Sequence, residues 1–386
     1  MKRIAILGAT GSIGTQALNI ISKNHEKFSV VLLSINSNIE GLIKILQKIP
    51  VPFIAVNDKE KAKKLKDIAI NFPFIKKIYE GKEGLLEALL EIEFDVCLNA
   101  IVGWEGVIPS YHIINKRVPL LLSNKETLVV AGKEITELAR KLNVPLIPVD
   151  SELSSLFQII DRGELIKKVW ITCSGGPFWQ YSREQLKNVS IEETLRHPVW
   201  SMGTKITLDS ATLMNKAFEI IAAHYLFNMP VEKLDSVIHP QAHIHAIIQY
   251  IDGNMKCIMY PPDMHIPINF ALFYPERNSF EMPVSFFPER LCFYEIPSST
   301  FPSINYAKEA IKGGSYRCAL LNFANDFAQN LFLSRKINFL QIFEVIETVM
   351  DNAPSVQFNN SNIEDMCIEA RRTAKSIIQS RMGLEV

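Results

Sequence analysis

Two carboxylates one residue apart, in Asp150-Ser151-Glu152, follow the apolar run Val144–Val149. On an extended segment residues i and i+2 point to one side, so both could reach one cation. The run ends where open α/β sheets bind ligands, beyond the carboxyl edge of the strands. A second apolar run, Val118–Leu122, leads to the same edge through Ser123-Asn124-Lys125-Glu126. The alternative makes Asp150 a helix cap and Glu152 a surface charge, and spacing alone does not separate the two. A third carboxylate, Glu219, lies with Asn215 and Lys216 at i, i+1 and i+4, on one face of a helix predicted over Ala211–Phe227. Its alternative is an exposed Lys216–Glu219 pair, worth only ~0.3–0.5 kcal/mol. Ser210 stands where that helix would be capped, and reads as the cap or as an anion donor at the helix start.

A second constellation is Gly8-Ala9-Thr10-Gly11-Ser12-Ile13-Gly14, between the first predicted strand and the first helix. Glycines there permit a tight turn and a close approach of backbone to a pyrophosphate, with the amides of the helix start facing the phosphates. The alternative is a glycine turn with no ligand. The predicted second strand ends in Asn36-Ser37-Asn38 without the carboxylate that NAD-binding domains use for the ribose hydroxyls, which leans toward NADP. Cys173-Ser174-Gly175-Gly176-Pro177 follows another strand and could turn backbone amides toward an anion, or be a simple turn. His197-Pro198-Val199-Trp200-Ser201-Met202-Gly203 carries large side chains outside any periodic element, as a buried core patch or as a lid over a ligand. His239, His243 and His245 invite a zinc reading, but no cysteine or further ligand completes the set.

The elements that must position these residues follow from periodicity. The first ~150 residues alternate apolar runs with helical patterns, as a parallel α/β domain does. Strands are predicted at Arg3–Leu7, Ser29–Ile35, Val51–Val56, Phe94–Ala100, Val118–Leu122 and Val144–Val149, and helices at Ser12–Lys23, Lys59–Phe72 and Glu126–Leu142. The expected organisation is a Rossmann-like domain over 1–149 and a central α/β catalytic domain over 150–273, with a strand Lys168–Cys173 and a lid loop over 175–204. A linker over 274–302, marked by Pro275, Pro283, Pro288, Pro297 and Pro302, and a helical domain over 303–386 complete it.

At 386 residues and 48% hydrophobic, the chain is long enough for two or three cores. Lys+Arg and Asp+Glu each number 41, so nothing calls for nucleic acid or a membrane surface, while a local positive pocket for an anionic small molecule stays open. Six cysteines, at 97, 173, 257, 292, 318 and 367, form no CxxC element and read as reduced thiols. No transmembrane-length apolar stretch and no signal-peptide pattern occur, so a cytoplasmic location is expected.

Together these motifs resemble the 1-deoxy-D-xylulose 5-phosphate reductoisomerase family. The landmarks are GATGSIG at 8–14, AIVG at 100–103, NKE at 124–126, PVDSE at 148–152, SGGPF at 174–178, HPVWSMG at 197–203, DSATLMNK at 209–216, HPQ at 239–241 and PPDM at 261–264. The resemblance implies isomerisation of 1-deoxy-D-xylulose 5-phosphate and NADPH-dependent reduction to 2-C-methyl-D-erythritol 4-phosphate, in the non-mevalonate route to isoprenoids, by a homodimer. Both a retro-aldol/aldol sequence and a direct alkyl shift fit. By matching position, Asp150, Glu152 and Glu219 would be metal ligands, with Lys125 the basic residue beside them and Ser151 a substrate hydroxyl partner. Ser174, Ser210, Asn215 and Lys216 would form the phosphate cradle, and His197, Trp200 and Met202 the lid. Thr10, Gly11, Ser12, Ile13, Ser37, Asn38, Ala100, Asn124, Lys125, Glu126, Gly203 and Met264 would line the NADPH. The chain departs from the family pattern in Leu153 for His, Ala217-Phe218 for Gly-Leu, Ser37 for Lys, and Phe323-Ala324-Asn325-Asp326 for AANE. The competing readings are another NADP-linked dehydrogenase, such as one for a semialdehyde, and a regulatory protein that kept the dinucleotide fold without catalysis. The first needs neither the carboxylate trio nor the SGGPF cradle; the second needs a damaged catalytic set, and this set is whole.

Overall fold

Ile4, Ala5, Ile6 and Leu7 are wholly buried, as a strand covered by helices on both faces must be. The computed structural model describes residues 1–160, 165–200, 202–279, 288–354 and 362–386. Ser201 of the expected lid, Pro283 with 280–287 of the expected linker, and 355–361 of the expected helical domain lie outside the described residues. The chain forms two compact units: residues 1–127, 135–154 and 263–281 make the first, and 128–134, 155–262 and 282–386 the second.

The first unit carries a seven-stranded parallel sheet: β1 (Lys2–Leu7), β2 (Phe28–Ile35), β3 (Phe53–Val56), β4 (Lys77–Glu80), β5 (Val96–Asn99), β6 (Leu120–Leu122) and β7 (Leu146–Pro148). The strand order is β4-β3-β2-β1-β5-β6-β7. The chain builds outward from β1 to β4 and then crosses to β5 on the other side of β1. That makes β1/β5 the switch point, where a crevice opens beyond the strand ends. Helices α1 (Ser12–Lys23), α2 (Ile39–Leu46), α3 (Lys59–Ile68), α4 (Gly81–Glu91), α5 (Val107–Asn115), α6 (Glu126–Leu142) and α7 (Ser151–Ile159) follow β1 to β7 in turn.

Six of the seven strands match the predicted runs. β4, with the sequence KIYE, was not predicted: it is a half-exposed edge strand with too few apolar residues to register. Residues 263–281, which sequence analysis assigns to the central segment and the start of the linker, lie in the first unit. Their helix buries Ile268, Ala271, Leu272 and Phe273 in the same core as Ala17, Leu18 and Ile21 of α1, and Phe273 meets Phe28 edge-on at 5.2 Å.

In the second unit β8 (Ile166–Cys173) pairs in parallel with β9 (Leu234–Ile238), and β10 (Ile244–Tyr250) runs antiparallel to β8 and to the edge strand β11 (Met255–Met259). Two one-turn helices, α8 (Arg183–Leu186) and α9 (Ile191–Thr194), break the expected lid, each opened by a serine capping box. Then come α10 (Thr204–Ala211) and α11 (Met214–Phe227), the latter packed on β8 and β9. α12 is the His265–Phe273 helix of the first unit, and α13 (Ser303–Gly313), α14 (Ser315–Leu333), α15 (Phe339–Asp351) and α16 (Ile363–Met382) supply the expected helical C-terminal region.

Two local expectations are corrected. The Asp150–Glu152 segment is not extended: α7 begins at Ser151, because Asp150 has side-chain and backbone oxygens free to take the first helical amides. The helix predicted over Ala211–Phe227 is broken at Thr212 and at Leu213, a left-handed residue with φ 60°. Ser210 is therefore the penultimate residue of α10 and caps nothing in α11.

Candidate active site

At the β1 end Gly8 adopts φ 79°, and a Cβ there would lie 2.4 Å from the carbonyl oxygen of Ala100. No residue but glycine can close the β1/β5 crevice so tightly. The amides of Gly8 and Ala9 both donate to Ser34 O, at 2.9 and 2.8 Å, which pulls the turn down onto β2. α1 then starts after Gly11 with no side chain capping it. Its first N–H groups, those of Ser12 and Ile13 among them, sit on an accessible lip beside Thr10, the arrangement a pyrophosphate needs. Ser37 and Asn38 lie at the end of β2, where Asn38 caps α2 by accepting from Gly41 N at 2.9 Å. Asn124 is buried and fixes the neighbouring loop: it donates to Gly103 O at 2.6 Å and accepts from Thr127 N at 2.7 Å. Glu126 opens α6, and Met264 packs on this unit's core at the start of α12. The structure thus places every predicted cofactor residue in the first unit except Gly203, which caps α10 in the second.

The β6 and β7 ends bring Lys125 to Asp150. Lys125 Nζ lies 2.6 Å from Asp150 Oδ2, with both side chains about nine-tenths buried. The other oxygen, Oδ1, accepts the amide of Leu153 at 3.2 Å. Asp150 is therefore a helix cap, as one of its two sequence alternatives has it, and is also paired with Lys125. Glu152 is buried, not a surface charge, and accepts a short hydrogen bond from the Ser151 hydroxyl. The Leu153 departure points into the core.

In the second unit the start of α11 brings two predicted residues onto the carboxylate of a third. Glu219 is fully buried; Asn215 Nδ2 donates to its Oε1 and Lys216 Nζ to its Oε2, each at 2.6 Å. The exposed-pair alternative does not hold here. A buried pair that lost one partner would cost several kcal/mol, about 3–5, because the remaining charge is stranded. Ala217 and Phe218, the departures on this helix, are buried packing residues.

The same unit assembles Ser174, His197 and Ser210. The backbone amides of Val199 and Trp200 both donate to His197 Nδ1, at 3.1 and 2.8 Å. An amide can only donate, so Nδ1 is bare and the ring proton sits on Nε2, which lies 3.1 Å from Ser174 Oγ and 3.0 Å from Ser210 Oγ. Burial, and secondly the charge of Lys216, push the His197 imidazole down to about 4. Two hydroxyls, one N–H and a nearby ammonium are groups that can donate to an anion. Gly176 lets the Cys173–Pro177 turn approach: a Cβ there would lie 2.6 Å from Ser210 O. Sequence analysis left this turn open between an anion turn and a simple turn; what the structure adds is that Gly176 admits the α10 backbone. Trp200 is half-buried, with its ring 6.4 Å from the His245 ring.

The zinc reading of the histidines finds no support. Among the described residues no histidine or cysteine belongs to a group able to hold a metal. His239 bonds Cys292 O through Nδ1 at 2.8 Å and stacks on Phe293, while His245 stacks on Tyr260.

Three family models match the chain: 1-deoxy-D-xylulose 5-phosphate reductoisomerase over residues 4–132, the C-terminal domain of that enzyme over 146–227, and a DXP reductoisomerase C-terminal domain over 259–377. A Clostridium kluyveri protein named 1-deoxy-D-xylulose 5-phosphate reductoisomerase is 40% identical, covering 95% of this chain and 96% of its own. A Bacillus cereus protein named 1-deoxy-D-xylulose 5-phosphate reductoisomerase 2 is 39% identical, covering 91% and 93%. A solved DOX-P reductoisomerase in complex with NADPH, fosmidomycin and magnesium superposes with a TM-score of 0.92 at 31% identity, over 100% of both chains. The Zymomonas mobilis enzyme in complex with NADPH gives 0.89 at 32% identity, over 98% and 99%.

The His197 geometry predicts a titration. The unfolded ring takes its proton near the ordinary value of 6.5 and the folded ring only near 4. The contribution of this group to stability is therefore complete above pH 6.5 and is lost as pH falls through the window between 6.5 and about 4. Imidazole ¹⁵N shifts of the ligand-free protein should report a neutral His197, protonated at Nε2, through that window to about pH 4. A ring that titrates near 6.5, or carries its proton on Nδ1, would contradict the clamp.

Proposed function

From membership in the 1-deoxy-D-xylulose 5-phosphate reductoisomerase family, to which this chain belongs, we propose that it converts 1-deoxy-D-xylulose 5-phosphate into 2-C-methyl-D-erythritol 4-phosphate in isoprenoid synthesis, with NADPH as reductant. The observation that carries the reading is the pair of buried, lysine-bound carboxylates, Lys125–Asp150 in one unit and Lys216–Glu219 in the other. A semialdehyde dehydrogenase has no need of such a set, and a protein that had lost catalysis has no reason to keep it intact.

Asp150, Glu152 and Glu219 are assigned to one divalent cation, Mg²⁺ or Mn²⁺. The donor set fits by its chemistry: all three offer hard carboxylate oxygens, and none is a thiolate. When bound, such an ion supplies positive charge beside adjacent substrate oxygens. The turn at Gly8 and the uncapped start of α1 fit the NADPH pyrophosphate. The chain's own groups do the rest. Ser174, Ser210, Asn215, Lys216 and the Nε2–H of His197 bind and orient the substrate phosphate. Ser151 takes a substrate hydroxyl, and Lys125 moves or holds a proton beside Asp150 at the reacting oxygens. His197, Trp200 and Met202 close over the substrate and exclude water. With Ser37 and Asn38 at the end of β2, neutral hydrogen bonds serve the adenosine phosphate.

The finer placement belongs to the same proposal. A homodimer is supported by the outward face of edge strand β11, where Met255, Cys257 and Met259 are exposed. A cytoplasmic location is supported by six free thiols. No helix among the described residues is long and apolar enough to cross a membrane.

Glu219→Gln keeps the shape and removes one charge. It should lower kcat by about 100-fold or more while leaving the NADPH Kd nearly unchanged. Steady-state rates with Mg²⁺ and fluorescence titration of NADPH measure both, and an unimpaired variant, or full activity in excess EDTA, would overturn the metal assignment. Trp200→Ala should raise the substrate KM by roughly tenfold and slow turnover, again sparing NADPH. If its kinetics match wild type, the lid assignment fails.

A further inference from the structure

Helix α14 is apolar along most of its buried length, yet Asn322, Asn325, Asp326 and Gln329 fall at i, i+3, i+4 and i+7 and so share one face. Burying such a stripe is unfavourable unless partners answer it. Asp209 answers it from α10. Its carboxylate is 3% exposed; Asn325 Nδ2 and Gln329 Nε2 donate to the same Oδ1 at 2.7 and 2.5 Å, and Lys205 Nζ lies 3.0 Å from Oδ2. Lys205 also reaches Asp326 at 3.3 Å and sits over the ring of Phe218, 5.4 Å from its centroid. No step of the proposed chemistry uses Asp209.

Ser210 is the next residue. Its hydroxyl faces His197 Nε2 at 3.0 Å, and its carbonyl lies against the Gly176 turn. On the far side Thr212 Oγ1 donates back to the Asp209 carbonyl at 3.3 Å, and Ser303 Oγ donates to Thr212 O at 2.7 Å. The α10 end is thus held by its backbone on one side and by one carboxylate on the other. The chemistry requires an acceptor there: three donors converge on it, and an amide in its place would turn an N–H toward one of them.

We propose that Asp209 is the positioning residue of the phosphate-binding face: gripped by Asn325, Gln329 and Lys205, its carboxylate sets where Ser210 presents its hydroxyl to His197 and to the bound phosphate. This rests on the reading of Ser210 and His197 as phosphate ligands. The C-terminal helices thereby serve substrate recognition through α14 without touching the substrate.

The test uses the full chain and four variants: Asp209→Asn, Ser210→Ala, Gln329→Met, and Asp209→Asn combined with Asn325→Asp. The combination moves the carboxylate across the 2.7 Å contact and reverses donor and acceptor. The readouts are the Kd of inorganic phosphate by calorimetry, the substrate KM, the Kd of NADPH and the His197 imidazole ¹⁵N signal. Asp209→Asn should weaken phosphate and raise KM by about fivefold or more, displace the His197 signal and leave NADPH within about twofold. The double variant should recover much of the phosphate affinity and the wild-type His197 signal. Gln329→Met, which keeps the charge, should act in the same direction more weakly and serves if Asp209→Asn does not fold. The proposal is overturned if phosphate affinity and the His197 signal ignore Asp209→Asn and Gln329→Met while Ser210→Ala loses phosphate. It is also overturned if NADPH and phosphate weaken together and the double variant restores neither. Loss of no phosphate affinity in Ser210→Ala instead sinks the phosphate-ligand reading itself, and this inference with it.

Discussion

A carboxylate taken out of water needs a positive partner, and the site follows from how that need is met. Glu219 is fully buried and Asp150 nearly so, and each is met at 2.6 Å by a lysine on an adjoining piece of backbone. Either pair, stripped of its lysine, would leave a buried charge that destabilises the fold by several kcal/mol. Stability therefore does not explain why the charges are buried, because an apolar pair of similar volume would serve as well or better. The proposed hard cation, which needs concentrated negative charge held out of water, would explain it.

The second constraint is access of backbone to anions. At Gly8 and Gly176 a side chain would collide with the carbonyl oxygens of Ala100 and Ser210. The first contact exposes the start of α1 to a pyrophosphate; the second brings Ser210 to Ser174 and His197. His197 joins these constraints, since the two amides that fix its Nδ1 also fix the backbone on which Trp200 is carried. An imidazole kept neutral has one defined N–H, which under the proposed function serves the substrate phosphate, with Lys216 nearby as the charge.

Much of this is legible in the amino-acid sequence alone. The parallel α/β pattern and the glycine turn can be read from periodicity and spacing, because buried strands and tight turns constrain residue type locally; the three carboxylates come together only through the family resemblance. What escapes such a reading depends on contacts distant in sequence. β4 carries two charges in four residues and is specified by its neighbour β3. The break at Leu213 hides in a continuous apolar pattern, since a single left-handed residue interrupts a helix without changing its periodicity. The return of α12 to α1 is decided by Phe28 and Phe273, 245 residues apart by their numbering. Asp209 has the look of one more residue in a catalytic string; its partners on α14 lie more than 110 positions away.

If Asp150, Glu152 and Glu219 hold one divalent ion as proposed, anomalous diffraction from crystals grown with Mn²⁺ should show it. One strong manganese peak per chain is expected, bonded to an oxygen of each of the three carboxylates. A peak held by other residues, or no peak at this site at saturating Mn²⁺, would contradict it.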